Sequence, residues 1–178
     1  MIDLLEYIDK NNDVINQFFN EPIEKVIYVP TTDLLDIICK IFNKTGETLS
    51  SGSSYNLKYL QDKYPGKLCL SNTNHYGDKP HYISYGYEII EAKDFINKCF
   101  VWAILKQDCI IIDLGNENAK KFLLNLVKEY PIDWTKYKCP DELVEQFQYF
   151  VKRNAEASFF TNSLNGRKID EYKKFKLL

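Results

Sequence analysis

Two histidines, two residues of opposite charge and two tyrosines fall within nine positions, Asn74-His75-Tyr76-Gly77-Asp78-Lys79-Pro80-His81-Tyr82. Tyrosine and histidine join a large apolar body to a polar tip, which suits protein contact surfaces. An imidazole on a loop can also act as a general base. The plainest reading is a polar loop whose tyrosines fold back on a sheet. Of the functional readings, a partner surface made by His75, Tyr76, Asp78, Lys79, His81 and Tyr82 stands ahead of catalysis. His75 and His81 are six positions apart with no third ligand close in sequence, so no metal is expected.

The cysteines are Cys39, Cys69, Cys99, Cys109 and Cys139. Their number is odd and no Cys-x-x-Cys pair occurs, so neither a disulfide framework nor a zinc site is expected. Four of them adjoin apolar residues, which reads as buried, reduced thiols. A nucleophilic cysteine served by His75 or His81 is the sharper alternative. Thr31-Thr32-Asp33 could offer free N–H groups to an anion at a helix start, but no Gly-rich loop precedes it, and capping is favoured. Ser50-Ser51-Gly52-Ser53-Ser54 lacks the Gly-x-Ser-x-Gly pattern and reads as a flexible loop. Asp108 and Asp113 flank an apolar run and point to opposite faces of a strand, so a Mg²⁺ pair is not expected. No cofactor is expected.

The net charge is −2, from 23 Lys+Arg and 25 Asp+Glu. That is too small to make nucleic acid the obvious partner. Only Arg153 and Arg167 are arginines, and arginine is the residue that reads bases and phosphates in bidentate fashion. The alternative nucleic-acid patch is Lys152, Arg153, Arg167, Lys168, Lys173 and Lys174, near Phe147, Tyr149, Phe150, Phe159 and Phe160. At helical spacing these aromatics more often fill a core.

These residues need elements to position them. A capping box at Asp3-Leu4-Leu5-Glu6 predicts a first helix, with Leu4, Leu5, Ile8, Ile15, Phe18 and Phe19 on one face and Pro22 ending it. Val26–Val29 predicts a buried strand, and Thr31–Asp33 opens a second helix that Gly46 stops. Strands are predicted at Lys67–Ser71 and Tyr85–Glu91. Asn72–His81 is a loop between them. Phe100–Leu105 and Cys109–Leu114 read as a central hairpin. Further helices carry Phe122, Leu123, Leu126 and Val127, and, after an Asp141 cap, Leu143, Val144, Phe147, Phe150 and Val151. Lys168–Leu178 is a basic end.

The order implies an α+β fold, a central and mostly antiparallel sheet with helices at both ends of the chain. At 178 residues a single domain over 1–178 is expected, any sub-boundary falling near residue 97. No run of about 18 apolar residues occurs, so no membrane partner is expected. The acidic N-terminus lacks a signal peptide's basic region, so the cytoplasm is the expected location.

From Val26 to Ile96 the chain resembles a small accessory module found in many phage proteins. The resemblance rests on a short strand, Thr-Thr-Asp, an amphipathic helix with a Thr-Gly stop, a Ser-Gly-Ser loop and a Leu-Cys-Leu strand. It closes on Gly86-Tyr87-Glu88-Ile89-Ile90-Glu91 followed by Asp94-Phe95. Such modules often carry an aromatic after the helical stop, where this chain has Leu49. The resemblance implies an accessory role in the host cytoplasm, such as anti-CRISPR-like counter-defence. The expected function is a non-enzymatic inhibitor of a host protein. The alternatives are a nucleic-acid or nucleotide binder, and an enzyme acting on a phosphate or nucleotide substrate through His75 or His81.

Overall fold

The computed structural model describes residues 4–116, 120–121, 123–125, 147–154, 157–165 and 171–178, without the side chain of residue 157. The chain divides into two compact units, Leu5–Cys99, and Phe100–Leu178 with Met1–Leu4. The class is α+β. The strands form two mixed four-stranded sheets, where the sequence suggested one.

The first unit opens not on one long helix but on a 3-10 turn at Leu4–Tyr7 and a separate helix α1 (Asp13–Asn20). Asn11 and Asn12 interrupt the pattern because short polar side chains compete for backbone hydrogen bonds. The Asn11 N–H donates to Asp9, and the Asn12 side chain caps α1 by accepting from the Ile15 N–H. Strand β1 (Lys25–Val29) follows, and then helix α2 (Thr32–Thr45), capped by the Thr31 hydroxyl. Gly46 ends α2 at φ 89°, a left-handed conformation glycine adopts without steric cost. Phe18, Phe42, Phe95 and Tyr55 pack edge to face beside α2, with ring centroids 4.8–5.9 Å apart in the contacts Phe18–Phe95, Phe42–Tyr55 and Phe42–Phe95.

A short helix α3 (Leu57–Leu60), strand β2 (Leu68–Ser71), strand β3 (Tyr76–Asp78) and helix α4 (Lys79–Ser84) come next. Strand β4 (Glu88–Glu91) then runs straight into helix α5 (Ala92–Leu105). The sheet order is β3-β2-β1-β4, with β1–β2 and β2–β3 antiparallel and β1–β4 parallel. Alternation along β1 sends Val26 and Tyr28 to one face. There Val26, Cys69 and Tyr82 form a small core, flanked by Tyr28, Tyr87 and Ile89.

Several sequence expectations are corrected here. Asn72–His81 is not one loop, because Tyr76–Asp78 pairs with β2 and Asp78 caps α4. Tyr85–Glu91 becomes strand only at Glu88, since α4 runs to Ser84 and Gly86 turns at φ 80°. Phe100–Leu105 is helix, not the arm of a hairpin. Cys99–Leu105 is buried throughout, and an apolar run of this length has no periodicity to separate a fully buried helix from a strand.

In the second unit, β5 (Ile110–Asp113), β6 (Tyr149–Asn154), β7 (Ala157–Thr161) and β8 (Lys173–Lys176) form a sheet in the order β7-β6-β5-β8. β5 pairs antiparallel with β6 and parallel with β8. Phe150 and Val151, placed by sequence on a helix, lie on β6, where aromatic and β-branched side chains suit the pleat. The supposed basic end supplies β8 through Lys173–Lys176. Leu123 is buried; Phe122, Leu126, Val127, Asp141, Leu143, Val144 and Cys139 lie outside the described residues. No helix among the described residues is long and apolar enough to cross a membrane.

Candidate binding site

The first unit carries two neighbouring cavities. The larger, about 940 Å³, is lined by Leu49, four serines of the Ser50–Ser54 loop, Asn56, Lys58, Tyr59, Tyr64 and Asn74–Tyr76. The smaller, about 460 Å³, is lined by Glu24, Tyr64, Thr73, Tyr87 and residues of the Asn74–Tyr82 segment including His75, Asp78 and His81. Tyr64, His75 and Tyr76 border both.

The walls are tied down by named contacts. The Ser50 N–H donates to the Asn74 carbonyl at 2.8 Å, and the Tyr55 hydroxyl donates to the Asn74 side chain at 3.2 Å. The serine loop closes on itself through the Leu49 N–H to the Ser53 carbonyl at 2.8 Å, with Gly52 at φ 79°. Asn56 caps α3 and so fixes Lys58 and Tyr59. The Tyr59 and Tyr76 hydroxyls meet at 2.5 Å. This hydrogen bond, followed by burial, holds the Tyr76 hydroxyl above its ordinary pKa. Tyr59 is 49% and Tyr64 44% exposed, so both rings are offered to solvent.

The nine-residue segment is only partly the surface its sequence suggested. His75 is exposed on both cavities, and Tyr76 forms their shared wall. Asp78 lines the smaller cavity while accepting from the His81 N–H at 3.2 Å. The His81 ring lies 4.8 Å from Tyr85. Lys79, however, is turned away, its ammonium 3.5 Å above the Tyr28 ring and 3.5 Å from Glu91. Tyr82 is a core residue, 6% exposed, closed over Gly77. Burial pushes its hydroxyl pKa up.

Sequence reading passed over Tyr59, Tyr64, Glu24 and Tyr87, and set the serine run aside as a flexible loop. Asn56-Leu57, a cap before an apolar residue, was the available sign of the turn that presents Tyr59.

Both imidazoles share the smaller cavity with two carboxylates. Yet among the described residues no hydrogen bond joins either ring to a carboxylate or thiol, the pairing that a base and its orienting group need. Burial raises the thiols of Cys39 and Cys69 to about 12 and also raises that of Cys99. Such thiols stay protonated and are poor nucleophiles. Cys109 is exposed. Among the described residues no group of three or more His, Cys, Asp or Glu could hold a metal ion.

The alternative basic patch in the second unit is depleted. Lys152 is 5% exposed, its ammonium donating to the carbonyls of Leu105 at 2.6 Å and Gln107 at 2.9 Å. It is therefore a structural cation and not one facing a phosphate backbone. Arg153, Lys173 and Lys174 are exposed, and Lys174 lies over the Tyr149 ring. Phe150 is buried against Phe160, with centroids 5.2 Å apart. Arg167 and Lys168 lie outside the described residues. No protein-family model, curated protein or solved structure matches the chain.

Proposed function

We propose that the chain is a non-enzymatic binding protein of phage type that occupies and blocks a host protein in the host cytoplasm. Its contact surface is the serine- and tyrosine-lined concavity of the first unit. The observation that carries this reading is the pairing of composition with anchoring. Rigid tyrosines supply contact area at low entropic cost, and serine and asparagine supply adaptable hydrogen bonds, the chemistry that binding loops of antibodies use. Here the tyrosines are braced by the Tyr59–Tyr76 hydroxyl contact and the loop by Asn74.

The resemblance of residues 26–96 to phage accessory modules supports the host-directed, counter-defence part of the proposal. The buried, protonated thiols of Cys39, Cys69 and Cys99 and the unpaired imidazole–carboxylate geometry favour binding over turnover.

The test begins with a host protein that forms a one-to-one complex with the chain on a sizing column. Loss of a central tyrosine from an interface commonly costs about 2 kcal/mol or more. A Lys58→Ala/Tyr59→Ala variant should therefore bind that protein about thirtyfold more weakly at unchanged thermal stability. Undiminished binding refutes the proposed surface, and the absence of any such complex refutes the function.

A further inference from the structure

Resting on the reading of this surface as a protein-binding one, we propose that the smaller cavity is the seat of an arginine side chain of the partner. Glu24 and Asp78 supply its negative charge, and Tyr64, Tyr76, Tyr82 and Tyr87 supply its rings. Tyr82 and Tyr87 meet edge to face with centroids 4.9 Å apart, and both border the cavity. A cation over an aromatic face is attracted by the ring's quadrupole, and a carboxylate alongside adds a charge-assisted hydrogen bond.

The charge here is not cancelled from within the chain. Among the described residues neither Glu24 nor Asp78 forms an ion pair, although each precedes a lysine. Lys25 is drawn to Glu21 at 2.6 Å and Glu88 at 3.4 Å, and Lys79 to Tyr28 and Glu91. Asp78 spends one oxygen on the His81 N–H and keeps acceptor capacity on the other. The larger cavity contrasts with this one, since Lys58 and no carboxylate lines it. The groove is thus sorted by charge, and only its acidic end suits a cation. A guanidinium fits that end better than an ammonium, being planar, weakly hydrated and able to stack on rings while pairing with carboxylates.

The experiment titrates the full chain at pH 8 with acetyl-Gly-Arg-Gly-amide and with its citrulline counterpart, which keeps the shape and removes the charge. The Gly77 amide and the His75 and His81 ring resonances are followed by NMR. Saturable shifts are expected with the arginine peptide, and binding about tenfold weaker or worse with citrulline. A Glu24→Gln/Asp78→Asn variant should lose affinity for the arginine peptide to the same extent. Asparagine keeps the helix cap, and a thermal melt matching the parent checks the fold. Equal response to the two peptides, absence of saturation, or undiminished binding by a folded double variant overturns the proposal. A chain that binds the arginine peptide but captures no host protein refutes the proposed function and leaves this seat standing. One that captures a host protein through Tyr59 but ignores the peptide refutes the seat alone.

Discussion

Asn12 shows how much one polar side chain can hold. It is fully buried, its amide donates to the Cys99 carbonyl at 3.0 Å, and its carbonyl oxygen accepts from the first turn of α1. Asn12→Ala removes a cap and leaves buried polar groups short of a partner, a loss of about 1–3 kcal/mol measurable by urea unfolding. The buried thiols set a pH dependence. Cys39 and Cys69 titrate near 12 in the fold against 9.0 ordinarily, because burial penalises the thiolate. Groups raised in this way add stability that is complete below the unfolded value and is lost as pH climbs through the folded one. Stability should therefore fall between pH 9 and 12, and a Cys39→Ala/Cys69→Ala variant should show a shallower fall in its urea midpoint. The thiols were legible in the sequence from their apolar neighbours. Asn12 was not, because its partner lies 87 positions away and its own neighbourhood reads as helix interior.

At the scale of elements, the segment from β1 to α2 was the most readable. Its strand is β-branched, its helix begins at a Thr cap and ends at a left-handed glycine, and each signal is local. Elements decided by tertiary burial were not readable. α5 has no polar face over Cys99–Leu105, and the Asn72–His81 segment becomes β3 and α4 only because β2 lies beside it. The tyrosine wall shared this fate: its residues were visible as types, but Glu24 and Tyr59 come from elements that no spacing connects to His75. The junction of β3 and α4 makes a specific demand. A Cβ on Gly77 would lie 3.1 Å from the Tyr82 ring, so Gly77→Ala must displace a core tyrosine. Overpacking of this kind costs about 1–3 kcal/mol, and thermal unfolding should show it. Gly77→Ala/Tyr82→Leu should recover part of the loss.

For the whole molecule, α+β composition followed from alternating strand and helix patterns, while the partition of strands into two sheets did not. Each sheet joins a parallel pair to antiparallel ones, and parallel partners carry no turn signature between them. β8 shows the reason: Lys173, Lys174 and Lys176 look like a solvated tail, and only Phe175, 1% exposed beside Ile112, marks a strand. Both tryptophans fall within Phe100–Leu178, so indole fluorescence reports on that unit. Phe150 is fully buried there, and Phe150→Ala should cost about 3–5 kcal/mol in the indole-detected transition. The ammonium of Lys152, clasped by the carbonyls that end α5, has a practical corollary. Amine-directed reagents need room to approach a lysine nitrogen, and this one, 5% exposed, offers little in the folded chain. Acylation footprints or cross-linking maps of the native protein should pass over position 152 while marking Lys173 and Lys174, and its late labelling would time the opening of that helix end.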